Sequence, residues 1–207
     1  MTCIVRPATL ADFDEITSIY NHYIDHSVAT FRTKRVESRV LLETYHCAQA
    51  SNLPFLVAVP PQGTGVLGYA YVSGYRASHA AYYPTVELSI YVHPERLSGG
   101  VGSKLWDGTV DALRRRNQAL SAQDGPRSSD EEVSATTPIR NVLSVMALDV
   151  EGIKGGYGLR DWYVQRGFVE RGHLREVGHK FGKWIDTIIL QLTLEDGAPS
   201  ASAPRAM

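Results

Sequence analysis

TVELSIYVHPERLSGGVGSKL, residues 85–105, runs from a strand through a glycine-rich turn into a helix. Val86, Leu88, Ile90 and Val92 alternate with Thr85, Glu87, Ser89 and Tyr91, which is the period-two pattern of a strand with two unlike faces. Gly99, Gly100 and Gly102 break that pattern, and Val101, Leu105, Val110 and Leu113 then line the inner side of a helix. A helix start leaves backbone N–H groups unpaired at the positive end of the helix dipole, a natural place for phosphate. Gly100, Val101, Gly102 and Ser103 are the candidate cradle. The two glycines allow close backbone approach, and Ser103 adds a hydroxyl. A glycine pair alone is equally a plain turn, so the surrounding chain must decide.

Upstream, Cys3–Arg6 predicts a first strand. Thr9 with Asp12 is a helix-start signal, and Phe13, Ile16, Tyr20, Tyr23 and Ile24 follow at helical spacing. A second helix is expected over 36–50. PFLVAV (54–59) and GVLGYAYV (65–72) are strands around the turn signal PPQGTG. Downstream, VLSVMALDV (142–150) reads as a buried strand, LRDWYVQRGF (159–168) as a short helix ending at Gly167, and WIDTIILQLTL (184–194) as the last strand. The order β-α-α-β-β-β-α-β-α-β-β argues an α/β fold, a mixed sheet covered by helices, in a single domain over 1–195.

The 207 residues suit one such domain, and 43% apolar with 21% charged is globular composition. A net charge of −1 gives no reason to expect nucleic-acid or membrane binding. No apolar run reaches membrane-spanning length, and MTCIVRPATL lacks the regions of a secretory signal. Cys3 and Cys47 have no redox or metal spacing, so a reduced, cytoplasmic protein is expected. Residues 117–138 are polar and rich in Gly, Pro and Ser, and read as a mobile surface loop; 196–207 read as a loose tail. His22 and His26 stand at i, i+4 without a third ligand at motif spacing, so no metal is expected. Arg114–Arg116 suit a solvated helix end.

VELSIYVHPERLSGGVGSKL resembles the acyl-CoA-binding signature of the GNAT superfamily of N-acyltransferases, a strand, an R/Q-x-x-G-x-G/A turn and a helix. NHYIDHSVATFR (21–32), YR (75–76), AYYPTVE (81–87), WYVQRGF (162–168) and GHKFGKWID (178–186) are similar, in order, to segments of the phosphinothricin acetyltransferase family within it. The resemblance covers roughly residues 4–194 outside the polar loop. Two positions depart from it: Leu97 stands at the R/Q position, with Arg96 one residue early, and KGGYGLR (154–160) lacks an Asn that contacts the cofactor arm.

The resemblance implies a GNAT-like mixed, mostly antiparallel sheet and acetyl-CoA as cosubstrate. It implies transfer of acetyl to the amino group of a small amino-acid-like molecule such as phosphinothricin or methionine sulfone. Cofactor contacts fall on Ile90, Tyr91, Val92, Arg96, Gly99, Gly100, Val101, Gly102 and Ser103, with backbone N–H groups near Tyr91 and Val92 facing the thioester oxygen. Glu87 takes the place of the base that removes the amine's proton, and Tyr163 that of the acid that protonates the departing thiolate. Phe31, Arg76 and Tyr82 match substrate positions, Arg76 suiting a carboxylate or phosphinate. A homodimer is expected, with GHKFGKWID on the partner surface. Two rivals stay open: a GNAT enzyme acting on another amine, such as a polyamine or a protein amine, and an acyl-CoA-binding sensor without catalysis.

Overall fold

The structure, a computed structural model, describes residues 2–123 and 137–194. Seven strands form one sheet: β1 (Ile4–Pro7), β2 (Phe55–Val59), β3 (Gly68–Gly74), β4 (Thr85–Val92), β5 (Asn141–Ala147), β6 (Val169–Lys180) and β7 (Lys183–Thr193). Their spatial order is β1-β2-β3-β4-β5-β7-β6, antiparallel except where β4 meets β5. Four α-helices accompany them: α1 (Phe13–His26), α2 (Ser38–Ala50), α3 (Val101–Gln123) and α4 (Tyr157–Val164). The element order is the one expected, and the α/β class holds.

Side-chain alternation assigns the helices to faces. Phe55, Val57, Tyr69 and Tyr91 point toward Phe13, Ile16, Tyr20 and Ile24 of α1 and Leu41 of α2. Their neighbours in sequence point the other way. Leu56, Ala58 and Ala70 meet Val101 and Leu105 of α3, while Val86 and Leu88 join Trp106, Val110 and Leu113 of α3 and Tyr163 of α4. The sheet therefore separates an α1/α2 face from an α3/α4 face. Each fully buried Ile, Leu or Phe in these layers contributes about 1.5–3 kcal/mol.

The signal at Thr9 and Asp12 appears as a 3-10 turn, Leu10–Asp12, leading into α1. The Asp12 carboxylate accepts the Thr9 N–H at 2.7 Å and two guanidinium nitrogens of Arg6 at 2.8 Å each. Chiefly through the Arg6 hydrogen bonds, its pKa falls to about 2.

One boundary differs from expectation. The polar loop expected from residue 117 begins later, because α3 continues through Gln123. Ala, Leu and Gln in this stretch are good helix formers. Asn117 also has a tertiary role: its side chain donates to the Ile139 carbonyl at 2.8 Å and accepts the Ile139 N–H at 2.9 Å, fastening α3 to the approach to β5. Residues 124–136 of the expected loop and the expected tail, 196–207, lie outside the described residues.

Candidate active site

β4 and β5 pair in parallel only from Thr85–Glu87 to Asn141–Leu143. Beyond Glu87 the two strands part, and a cavity of ≈ 680 Å³ opens between them. Leu88 to Val92 line one wall and Ser144 to Ala147 the other. The direction of the β4 backbone follows from its neighbours. The Thr85 carbonyl accepts from Tyr75 N–H, and His93 N–H donates to Leu67, so odd-numbered backbone groups face β3. Even-numbered groups face the opening. The expected donors near Tyr91 and Val92 therefore narrow to the N–H groups of Ile90 and Val92, because Tyr91 spends its own on β3. Val92 is further held by Tyr23 of α1, whose hydroxyl donates to its carbonyl at 2.7 Å.

The glycine turn closes one end of the cavity. Arg96, Gly100, Val101, Gly102 and Ser103 all line it, whereas Gly99 does not. Gly100 has φ +81°, a conformation that side chains other than glycine rarely adopt, with nothing within 4 Å of a Cβ built there. A Cβ on Gly102 would meet Val92 and Trp162 only at ordinary contact, 3.6 and 3.8 Å. Packing alone does not demand glycine at 102. Its effect is to leave the first-turn amides of α3 open toward the cavity. The first helical bond of α3 runs from Lys104 N–H to the Gly100 carbonyl, so the amides at 101–103 have no helical acceptor.

Tyr163 stands in this cavity from the α4 side, buried, with Ser144 of β5 also on the cavity lining. Burial pushes its pKa up, so the phenol keeps its proton at neutral pH and can donate it. Glu87 does not line the cavity. It lies on the α1/α2 face of β4, partly buried, at the last residue before the strands part. Desolvation raises its pKa from the ordinary glutamate value, the direction that makes a carboxylate a better proton acceptor. The candidate base and candidate acid thus flank the opening from opposite faces of the sheet.

The expected substrate residues also lie apart from the cavity lining. Arg76 has φ +46° and holds its guanidinium carbon 5.4 Å from the ring centroid of Tyr75 and 5.8 Å from that of Tyr82. Arg76 and Tyr82 are thereby joined. Tyr71 of β3 stands opposite Ser89 of β4, and burial raises its pKa. Phe31 sits in the 27–32 loop, its ring against the backbone of Gly178.

The segment GHKFGKWID explains how the loop is held. β6 and β7 meet in a two-residue turn, with Phe181 at φ +53° and Gly182 at φ +75°, the signs a type I′ hairpin requires. Lys180, buried just before the turn, donates from Nζ to the carbonyls of Ser27 at 2.6 Å, Thr30 at 2.8 Å and Tyr23 at 3.4 Å. Of these acceptors the Tyr23 carbonyl, in the last turn of α1, also accepts the Ser27 N–H at 3.2 Å. Asp186 accepts from Glu176 N–H and Arg175, and bonds His173, bracing the irregular stretch of β6 beside Gly178.

Curated relatives extend over nearly the whole chain. L-methionine sulfoximine/L-methionine sulfone acetyltransferase of Salmonella typhimurium is 29% identical over 198 residues, 95% of this chain and 98% of the relative. Phosphinothricin N-acetyltransferase of Alcaligenes faecalis is 31% identical over 197 residues, 94% of this chain and 84% of the relative. The chain belongs to the phosphinothricin acetyltransferase family of N-acetyltransferases. A solved structure of a GNAT superfamily phosphinothricin acetyltransferase from Sinorhizobium meliloti, in complex with AcCoA, superposes with a TM-score of 0.74 at 27% identity, covering 99% of this chain and 94% of that one. No protein-family model matches the chain.

Within this family member, four residues of the site escaped the sequence. Tyr23 looked like one more apolar position of α1, yet it binds the β4 backbone. Ser144 was a polar residue in an apolar strand, a signal that could have flagged it. Trp162 lines the cavity beside Gly102, and Lys180 carried no role beyond its motif. His22 and His26 have ring centroids 4.8 Å apart, and no group of three His, Cys, Asp or Glu that could hold a metal occurs among the described residues. Among those residues no helix is long and apolar enough to cross a membrane.

Proposed function

We propose that this N-acetyltransferase moves acetyl from acetyl-CoA to the amino group of a small amino acid carrying a second polar or anionic group, of the methionine sulfone or phosphinothricin kind. The observation that carries the reading is the parting of β4 and β5 at Glu87, with the Glu87 carboxyl on one face of the sheet and the Tyr163 phenol on the other. The diphosphate rests on the first-turn amides of α3, with Arg96 beside it, and the thioester reaches into the opening along β4.

The amine arrives protonated and cannot attack. Glu87 takes its proton, directly or through water. The freed nitrogen bonds to the thioester carbon, and the N–H groups of Ile90 and Val92 stabilise the oxyanion. Collapse breaks the carbon–sulfur bond as the Tyr163 phenol protonates the thiolate; the nitrogen's second surplus proton passes through solvent to restore the phenol, and Glu87 releases its own proton to solvent. The products are the N-acetyl compound and CoA. Arg76, set between Tyr75 and Tyr82, binds the substrate's anion together with Tyr82 and Phe31. That guanidinium disfavours polyamines. The protein works in the cytoplasm as a homodimer through the β6–β7 hairpin, whose Trp184 and Phe181 are 66% and 55% exposed.

A thiol-release screen with acetyl-CoA against amino acids, methionine sulfone, methionine sulfoximine, phosphinothricin and polyamines tests the substrate class. Turnover with the sulfone and sulfoximine supports it. Preference for polyamines overturns the substrate assignment, and CoA binding without turnover on any amine would favour the sensor reading.

A further inference from the structure

Arg166 closes the helix α4 over the phosphate end of the cavity without touching the cavity itself. Its Nη1 donates to the Trp162 carbonyl at 2.8 Å and its Nη2 to the Ser103 hydroxyl oxygen at 2.7 Å. Its guanidinium carbon stacks 3.6 Å from the centre of the Trp162 ring. Ser103 and Trp162 both line the cavity, and Arg166 does not.

A guanidinium has only donors to offer. Ser103 must therefore be the acceptor in this bond, and its own proton is left for another partner. Ser103 lies in the first turn of α3, beside the amides of Val101 and Gly102 that have no helical acceptor. The same contact puts a partly buried positive charge behind the turn, where solvent screens it less than an exposed one. At the nearby position 97, where the turn signature has a polar or basic residue, this chain has an exposed leucine.

We propose that Arg166 is a positioning residue for the cofactor's diphosphate. It presents the Ser103 hydroxyl as a donor to a phosphate oxygen, supplies charge that Leu97 lacks, and braces Trp162 as the wall beside Gly102. It acts through these two residues and not by contact with the reacting atoms. The inference rests on the acetyl-CoA reading given above.

The test compares a thioester that has the diphosphate with one that lacks it. Wild type, Arg166→Gln, Arg166→Lys, Ser103→Ala and the Arg166→Gln/Ser103→Ala double variant are assayed with acetyl-CoA and with acetyl-pantetheine, and CoA affinity is measured by calorimetry. Arg166→Gln is expected to raise KM for acetyl-CoA and weaken CoA binding roughly tenfold, with kcat within about threefold and KM for acetyl-pantetheine unchanged. Ser103→Ala is expected to do the same to a lesser degree, and the double variant to be no worse than Arg166→Gln, because the two act as one unit. Arg166→Lys keeps the charge but not the fork, and is expected to recover only part of the affinity. Equal losses on both thioesters, or full additivity in the double variant, would overturn the proposal and leave Arg166 as a clamp for α4. Should Arg166→Gln fold poorly, the acetyl-CoA against acetyl-pantetheine split of Ser103→Ala decides alone. CoA binding without acetylation of any amine would instead sink the functional reading, and the calorimetric series would still judge Arg166.

Discussion

The ring of Phe31 occupies the space where a side chain on Gly178 would begin: the three atoms nearest to a Cβ built there all belong to that ring. Phe31 comes from the loop after α1 and Gly178 from β6, so two distant segments meet at a contact that only glycine permits. Gly178→Ala should push Phe31 aside and strain the hairpin by about 1–3 kcal/mol. If Phe31 lines the amine site, KM for the amine should rise several-fold while CoA affinity by calorimetry stays unchanged. An unaltered KM for the amine in a variant of lowered Tm would show that the contact serves folding alone.

Glu87→Gln keeps the shape and removes the proton acceptor, and kcat/KM should fall by roughly 10²–10⁴. Burial raises the Glu87 pKa, so the wild-type enzyme should lose activity on the acid side, at a pH higher than an unperturbed glutamate would give. The variant should lack that limb, and its residual rate should climb with pH as more amine becomes neutral. A near wild-type rate at neutral pH would move the base elsewhere.

Tyr163→Phe keeps the buried ring and removes the proton donor. kcat should drop by about 10–100-fold with CoA affinity little changed. Since burial holds the phenol protonated, the deficit relative to wild type should widen as pH rises and solvent protons become scarce. A deficit constant across the pH range would mean that Tyr163 shapes the cavity and donates nothing.

Arg76→Ala removes an exposed guanidinium stacked near two tyrosines and should leave the fold intact. KM for free amino acids should rise by an amount worth about 2–3 kcal/mol, and KM for their amides far less. Equal effects on charged and neutral substrates would make Arg76 a surface residue.

Asp12 governs the acid limb of stability. Its folded pKa of about 2 lies below the unfolded value near 3.8, so its contribution is complete above the unfolded pKa. It is lost as pH falls from roughly 4 to 2. Asp12→Asn should cost on the order of 2 kcal/mol at neutral pH and flatten that limb in urea melts followed by circular dichroism. An unchanged midpoint at pH 7 would assign no such role to the Arg6–Asp12 pair.

Local pattern carried much of this protein. Alternation in TVELSIYV, helical spacing after Gly102 and the order of strands and helices depend on neighbours in sequence, where a period of two or 3.6 decides which side chains share a face. The ordered motifs likewise carry the family resemblance in the sequence alone. Pairing across the sheet was another matter. That β4 and β5 part after Glu87, that even-numbered N–H groups of β4 face the opening, and that Glu87 and Tyr163 flank it from opposite faces all depend on register between separate segments, β3 with β4 and β4 with β5. The helix formers past 117 were there to be read, but that Asn117 fastens α3 to Ile139 is a bond that local composition does not encode. Lys180 and Arg166 make the same point. Each acts by reaching backbone or hydroxyl oxygens of remote segments, and a cation's acceptors are set by three-dimensional packing, with no trace in its own neighbourhood of sequence.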